Sequence, residues 1–185
     1  MKINIHAGHT RQNGKSPGAG SAKTGIWESI EDRKIKDEVI RLLKKKGHIV
    51  YDCTDDKGSG QSDNLRRIVK KCNAHKVDLD ISIHLNHFNG NAYGVEAYTY
   101  STASKARGFA KRAVQNIHKV GFAYHSGDRE LAGALKTANY YVLRETVAPA
   151  CLIECFFCDS KIDAKIYKKK GYKKIAEAIA KAVTR

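Results

Sequence analysis

Asp78-Leu-Asp-Ile-Ser-Ile-His-Leu-Asn-His87 is the stretch whose reading decides the fold. Leu79, Ile81 and Ile83 alternate with Asp80, Ser82 and His84, and isoleucine favours extended backbone, so a short buried strand is predicted over residues 78–84, running into a polar loop. A histidine at the carboxyl end of a strand stands where open α/β sheets place their ligands. Alone, His84 also has a plain structural reading, a hydrogen-bonded histidine at a strand edge. The rest of the chain decides whether it has partners.

Working outward, strands are expected at 2–6, 48–53, 94–100, 139–143 and 148–155, and helices at 27–46, 62–75, 103–120, 161–167 and 172–183. Ile35, Val39, Leu42 and Leu43 form the apolar stripe of the first helix. Residues 121–138 are polar and carry no clear period. A loop rich in Gly, Ser and Lys, 13–25, has the length of a functional connection rather than a tight turn. Strands alternating with helices predict an α/β fold: one domain over 1–185, with a mostly parallel, twisted central sheet of about six strands and helices on both faces.

The chain carries 34 Lys and Arg against 19 Asp and Glu, a formal net charge of +15, which favours anionic partners. The basic residues are scattered over helix faces (Lys44 to Lys46, Arg66, Arg67, Lys70, Lys71, Lys168 to Lys170) with no recognition helix, RNA-binding signature or finger spacing, so nucleic acid is not expected as a partner. No apolar run is long enough to span a membrane, and stable membrane association is not expected. The strand-like start suggests synthesis in the cytoplasm without an amino-terminal signal. Cys151, Cys155 and Cys158 approach metal-ligand spacing. No second closely spaced pair completes a structural site, and Cys151, Ile153 and Cys155 share one face of a strand; they are read as reduced core thiols.

In a parallel α/β sheet the strand carboxyl ends and the amino ends of the following helices lie along one edge. That rule brings together His9 after the first strand, an acid at the tip of the first helix, His84, and Glu154 near the end of a late strand. Glu28 lies seven residues before Ile35 and Glu31 four before it, so both face the buried side and either can serve. Two histidines and a carboxylate are a catalytic zinc set with a fourth position left for water, and a second carboxylate outside that set supplies a general base.

At these residues the sequence resembles the zinc-dependent N-acetylmuramoyl-L-alanine amidases of the amidase-3 type, which cut peptidoglycan. The resemblance covers nearly the whole chain: Ile5-His-Ala-Gly-His9, Thr24-Gly-Ile-Trp-Glu28, Ile81-Ser-Ile-His84, Gly94-Val-Glu96, Tyr141-Val-Leu-Arg144 and Pro149-Ala-Cys-Leu-Ile-Glu154. It implies His9, Glu28 and His84 as ligands of one zinc ion per chain and Glu154 as the catalytic glutamate. The preceding Thr-Gly favours Glu28 over Glu31. Members of the family often carry aspartate where this chain has His6. Asn86, His87, Arg129 and Arg144 are candidate substrate contacts, with His125 and Glu96 as further polar residues of interest. The resemblance further implies a monomeric phage or prophage lysin acting on the cell wall after holin-type release, either alone or as a fragment of a longer lysin, with anionic teichoic acids as additional partners. Two other readings stand beside it: a zinc endopeptidase acting on stem or cross-bridge peptides, and a non-catalytic basic wall-binding protein.

Overall fold

The strand expected from the alternation of Leu79, Ile81 and Ile83 forms, and it is the pivot of the sheet. The computed structural model describes residues 1–10, 18–125 and 130–183. Among them the elements run β1 (Lys2–Ala7), β2 (Gly20–Ser21), β3 (Ile26–Trp27), α1 (Glu28–Lys45), β4 (Ile49–Asp52), α2 (Gln61–Asn73), β5 (Leu79–Asn86), β6 (Glu96–Thr99), α3 (Arg107–Val120), β7 (Leu135–Thr137), α4 (Tyr141–Glu145), β8 (Ala150–Phe157) and α5 (Lys161–Val183). Six strands form one sheet in the order β4-β1-β5-β8-β6-β7, and β2 with β3 makes a small hairpin. Within the sheet only the β6–β8 pairing is antiparallel. The mostly parallel α/β architecture is therefore the one expected.

From β1 the chain passes to β4 on one side, then returns through α2 to β5 on the other. The strand order reverses between β1 and β5, and at such a switch point the carboxyl ends open a crevice. The two faces of the sheet differ in chemistry. Ile3, Ile5, Ile81, Ile83 and Ile153 pack beneath α1, α3 and α5, with Ile35, Val39, Ile117 and Ile179. The alternate positions are largely polar: Asn4 and His6 on β1, Asp80, Ser82 and His84 on β5, Glu154 on β8. That second face is covered by α2 and α4 around Cys53, Ile68, Cys72, Leu143 and Leu152. α1, α3 and α5 have 18, 14 and 23 residues, whereas α2 and α4 have 13 and 5, so the second face has the shorter cover.

Two expectations fail in a compensating way. Residues 139–143 do not form a strand; Tyr141–Glu145 is the short helix α4. Its Val142 and Leu143 are buried among Ile68, Cys72 and Leu152 on the second face. The sixth strand is β7, inside the stretch that carried no clear period. The break expected between the two closing helical segments falls at Gly171, whose φ of 75° interrupts α5. All five cysteines are free and buried.

Deep on the polar face, Asp80 is 2% exposed and neither carboxyl oxygen has a hydrogen-bond partner among the described residues. Burial pushes its carboxyl from 3.8 up to about 6, and the nearby Asn4 amide and Cys72 thiol offset that only in part. A group with a raised folded pKa binds more protons folded than unfolded, so its contribution to stability is present at low pH and is lost as pH rises through about 6. Asp80→Asn removes that loss and offers an amide to the unpaired Oδ1 of Asn4. The variant should be more stable than the parent by up to roughly 3 kcal/mol at pH 8, at about 1.4 kcal/mol per pKa unit, with the gain vanishing by about pH 4. Urea midpoints measured across that range check it; a pH-independent difference would refute the assignment.

Candidate active site

Glu28 is the centre of the crevice between β1 and β5. It begins α1, is 2% exposed, and has three hydrogen bonds and an ion-pair contact with His9. Oε2 takes the Ala19 N–H at 2.8 Å and faces His9 Nε2 at 3.1 Å; Oε1 faces His84 Nδ1 at 3.0 Å and takes the Leu85 N–H at 3.1 Å. Burial would raise this carboxyl, but the hydrogen bonds and charge of His84 and His9 outweigh it and hold it well below the usual range. The two imidazoles meet edge to face with centroids 5.4 Å apart. Ligand atoms of His9, Glu28 and His84 all lie within 4.8 Å of one another, close enough to share one metal ion.

Backbone geometry makes this convergence possible. His9 has a φ of 54°, a left-handed conformation uncommon outside glycine, which turns the chain sharply after β1. A Cβ on Gly8 would lie 2.1 Å from the His84 ring, and one on Gly18 would lie 2.7 Å from the His9 ring and 3.0 Å from Glu28 Oε2. The turn is clamped from α1 by Arg33, which donates to the Gly8 carbonyl at 3.1 Å and the His9 carbonyl at 2.8 Å. Arg33 also pairs with buried Asp32 at 3.2 Å and with Asp56 at 2.6 Å.

Glu154 stands one strand away, its Cα paired with that of His84 in the β5–β8 register. Its Oε2 is buried without a partner among the described residues. Burial, then the like charges of Glu28, Glu96 and Asp32, push its carboxyl well above the ordinary range. His84, Glu154, Tyr140, Tyr141 and Leu152 are among the residues lining a cleft of about 240 Å³. His6 lies in its wall, with Nδ1 3.5 Å from Ser82 Oγ. Burial and the charge of His84 push His6 down to about 3 against the bond to Ala7 and the charge of Asp52, so a neutral imidazole backs the site.

The other candidates fall elsewhere. Glu31 turns away from the crevice, accepting Lys34 Nζ at 2.9 Å and the Tyr167 hydroxyl. Asn86 donates to Glu96 at 2.7 Å, His87 is exposed with Nε2 3.7 Å from Asp159, and His125 Nε2 is 3.9 Å from Glu96. Arg144 is engaged at the surface by Glu145 and Asn139. Arg129 lies outside the described residues. Sequence reasoning missed Arg33, Asp32 and Tyr140. The first two follow Glu28 by about one helical turn, which was a usable signal; Tyr140 was hidden by the strand reading of its segment.

Residues 3–185 match the family described as N-acetylmuramoyl-L-alanine amidase. An uncharacterized protein of Clostridium perfringens (strain 13 / Type A) is 34% identical over 187 residues, covering 99% of this chain and 51% of that protein. The endolysin of Bacillus phage SPP1 is 32% identical over 186 residues, covering 97% of this chain and 63% of its own length. The chain thus spans about half the length of the C. perfringens relative. Among solved structures, the catalytic domain of the CD27L endolysin targeting Clostridia Difficile superposes with a TM-score of 0.83 at 28% identity, covering 99% of this chain and 96% of that one.

His84→Ala removes a donor from the only cluster among the described residues that could hold a metal ion. In protein loaded with zinc, the metal retained after dialysis should fall to near zero in this variant, while Glu31→Gln should keep it. Arg33→Lys breaks the two-carbonyl clamp and should weaken zinc binding by about 10- to 100-fold, as loss of an orienting partner does, read by competition with a chelating dye. Full affinity in the Arg33 variant would mean that the turn holds itself.

Proposed function

The chain belongs to the N-acetylmuramoyl-L-alanine amidase family, and from that premise we propose that it is a zinc-dependent peptidoglycan hydrolase. It cuts the amide between the lactyl group of N-acetylmuramic acid and L-alanine, and so lyses the wall. The observation that carries this reading is the pairing of the His9–Glu28–His84 cluster with Glu154, a half-buried glutamate in register with His84 whose Oε2 is sealed without a partner among the described residues. Two imidazoles and one carboxylate are a donor set that zinc takes in hydrolytic sites. Gly8 and Gly18 leave open the space in which those side chains converge. Zinc bound there supplies a Lewis acid that acidifies water, polarises the scissile carbonyl and offsets the negative charge crowding Glu154.

The protein's own residues do the rest. Ala19 and Leu85 hold Glu28 through backbone N–H groups, leaving the nitrogens of His9 and His84 to turn from the carboxylate to a cation. Glu154 takes a proton from the water as it attacks the lactyl carbonyl carbon, and returns it to the L-alanine nitrogen, a poor leaving group until protonated. The burial and like charge that raise its carboxyl make it a stronger base than a surface glutamate. Tyr140, Tyr141 and Leu152 give the cleft an apolar wall that limits water around the reacting amide. The formal charge of +15 favours retention on anionic wall polymers such as teichoic acids, and the likeness to two endolysins supports a lytic role.

Mass spectrometry of purified walls after digestion tests the bond. The expected product is free stem peptide with L-alanine at its amino terminus; new termini within the stem or cross-bridge would make the protein a peptidase instead. Glu154→Gln should lower turnover by about 10²- to 10⁴-fold, the usual contribution of a positioned acid–base group, with zinc content unchanged. An active Glu154 variant would take the proton transfer away from this residue.

A further inference from the structure

The side of the crevice formed by β6 and β7 carries a charge pair with no part in the metal cluster. Glu96 lies opposite Glu154 in the antiparallel β6–β8 register, and its side chain is 2% exposed. It accepts Asn86 Nδ2 at 2.7 Å and the Tyr98 hydroxyl at 2.8 Å, and binds the Nζ of Lys136 from β7. The pair is lopsided: the acid is sealed in the sheet while the lysine side chain is 35% exposed. Lys136 Nζ also stands 5.8 Å from the centroid of the Tyr98 ring, and Tyr98 packs at 5.2 Å on Tyr140, which lines the cleft.

An ammonium has three donor hydrogens and Glu96 takes one, which leaves donor capacity for a further acceptor. Fixing a flexible lysine costs side-chain entropy, and a buried acid needing only neutralisation does not require its partner to stay at the surface. Glu28, Glu96 and Asp32 all act on Glu154 through like charge, so the surroundings of that carboxyl disfavour a further negative charge. Lys136 supplies a cation on Glu96, next to the Tyr98–Tyr140 pair that leads to the cleft. We propose that Lys136, anchored by Glu96 and flanked by the Tyr98–Tyr140 pair, binds a free carboxylate of the stem peptide and so selects substrates that carry one. This rests on the amidase reading and adds a specificity-determining residue to it.

The test compares two muropeptides that differ only in whether the stem carboxylates are free or amidated, using the zinc-loaded protein. Wild type should prefer the free acid by roughly tenfold in kcat/KM, as a single charge-assisted hydrogen bond gives, with the difference lying in KM. Lys136→Gln keeps a donor toward Glu96 but drops the charge, and should bring the ratio near one; Lys136→Arg, which keeps the charge, should retain most of it. A purely structural lysine would lower both rates together and leave the ratio alone, and that result overturns the proposal, as does a wild type that cuts both substrates equally well. If wild type leaves the lactyl–alanine amide intact in both, the amidase reading fails and this one falls with it. Melting temperatures of the two Lys136 variants identify a folding defect, in which case the arginine variant's ratio decides.

Discussion

The burial of the Glu28 carboxylate is the constraint on which the crevice depends. A carboxylate sealed from water costs several kcal/mol unless its lone pairs are met. Here three hydrogen bonds and one ion-pair contact from three separate segments meet them: Ala19 before the β2–β3 hairpin, His9 after β1, and His84 and Leu85 at the end of β5. Satisfying one acid therefore fixes the relative positions of the first turn, the hairpin and the central strand. The two glycines follow from the same closure, because any Cβ at Gly8 or Gly18 would occupy the volume of a histidine ring.

Around that centre the acids are neutralised unequally, and the inequality fits the roles proposed for them. Asp32 has Arg33 on one oxygen, though its Oδ2 has no partner, and Glu96 has Lys136, whereas Glu154 has one oxygen without a partner and no cation beside it among the described residues. Environments that push neighbouring carboxyl groups apart in proton affinity separate structural acids from working ones. Glu28 is held down by two imidazoles and suits a ligand; Glu154 is pushed up by burial and like charge and suits a base.

How much of this was legible in the sequence depended on the period of each element. The alternation in 78–84 placed β5 and put His84 on its polar face, and the carboxyl-edge rule gathered His9, Glu28 and Glu154 without any contact information. The first turn of α1 left Glu28 and Glu31 equivalent, since helical phase sends both inward; the tertiary partner of Glu31, Tyr167 on α5, separates them and is 136 residues away. In Tyr140 to Leu143 a tyrosine–valine run has strand propensity, and packing against α2 overrode it. β7 is three residues long and pairs only along its edge with β6, too short for a period to register. Lys136 was invisible for the same reason.

Asp80 and Glu28 show why the chemistry sits at the end of the sheet and not within it. Both acids are 2% exposed, yet one is pushed up to about 6 and the other is held well below its ordinary range. Burial is the largest influence on each and acts in the same direction; the donors differ. At Asp80 the flanking backbone N–H groups belong to the strand ladders, so the side chain finds no hydrogen bond among the described residues. At the carboxyl edge the ladders end, and the N–H groups of Ala19 and Leu85 and the rings after two strands are free to turn toward Glu28. A charged ligand set can thus be assembled where strands stop. The same polar alternation carried four residues back from His84 yields only Asp80, an acid with a raised proton affinity.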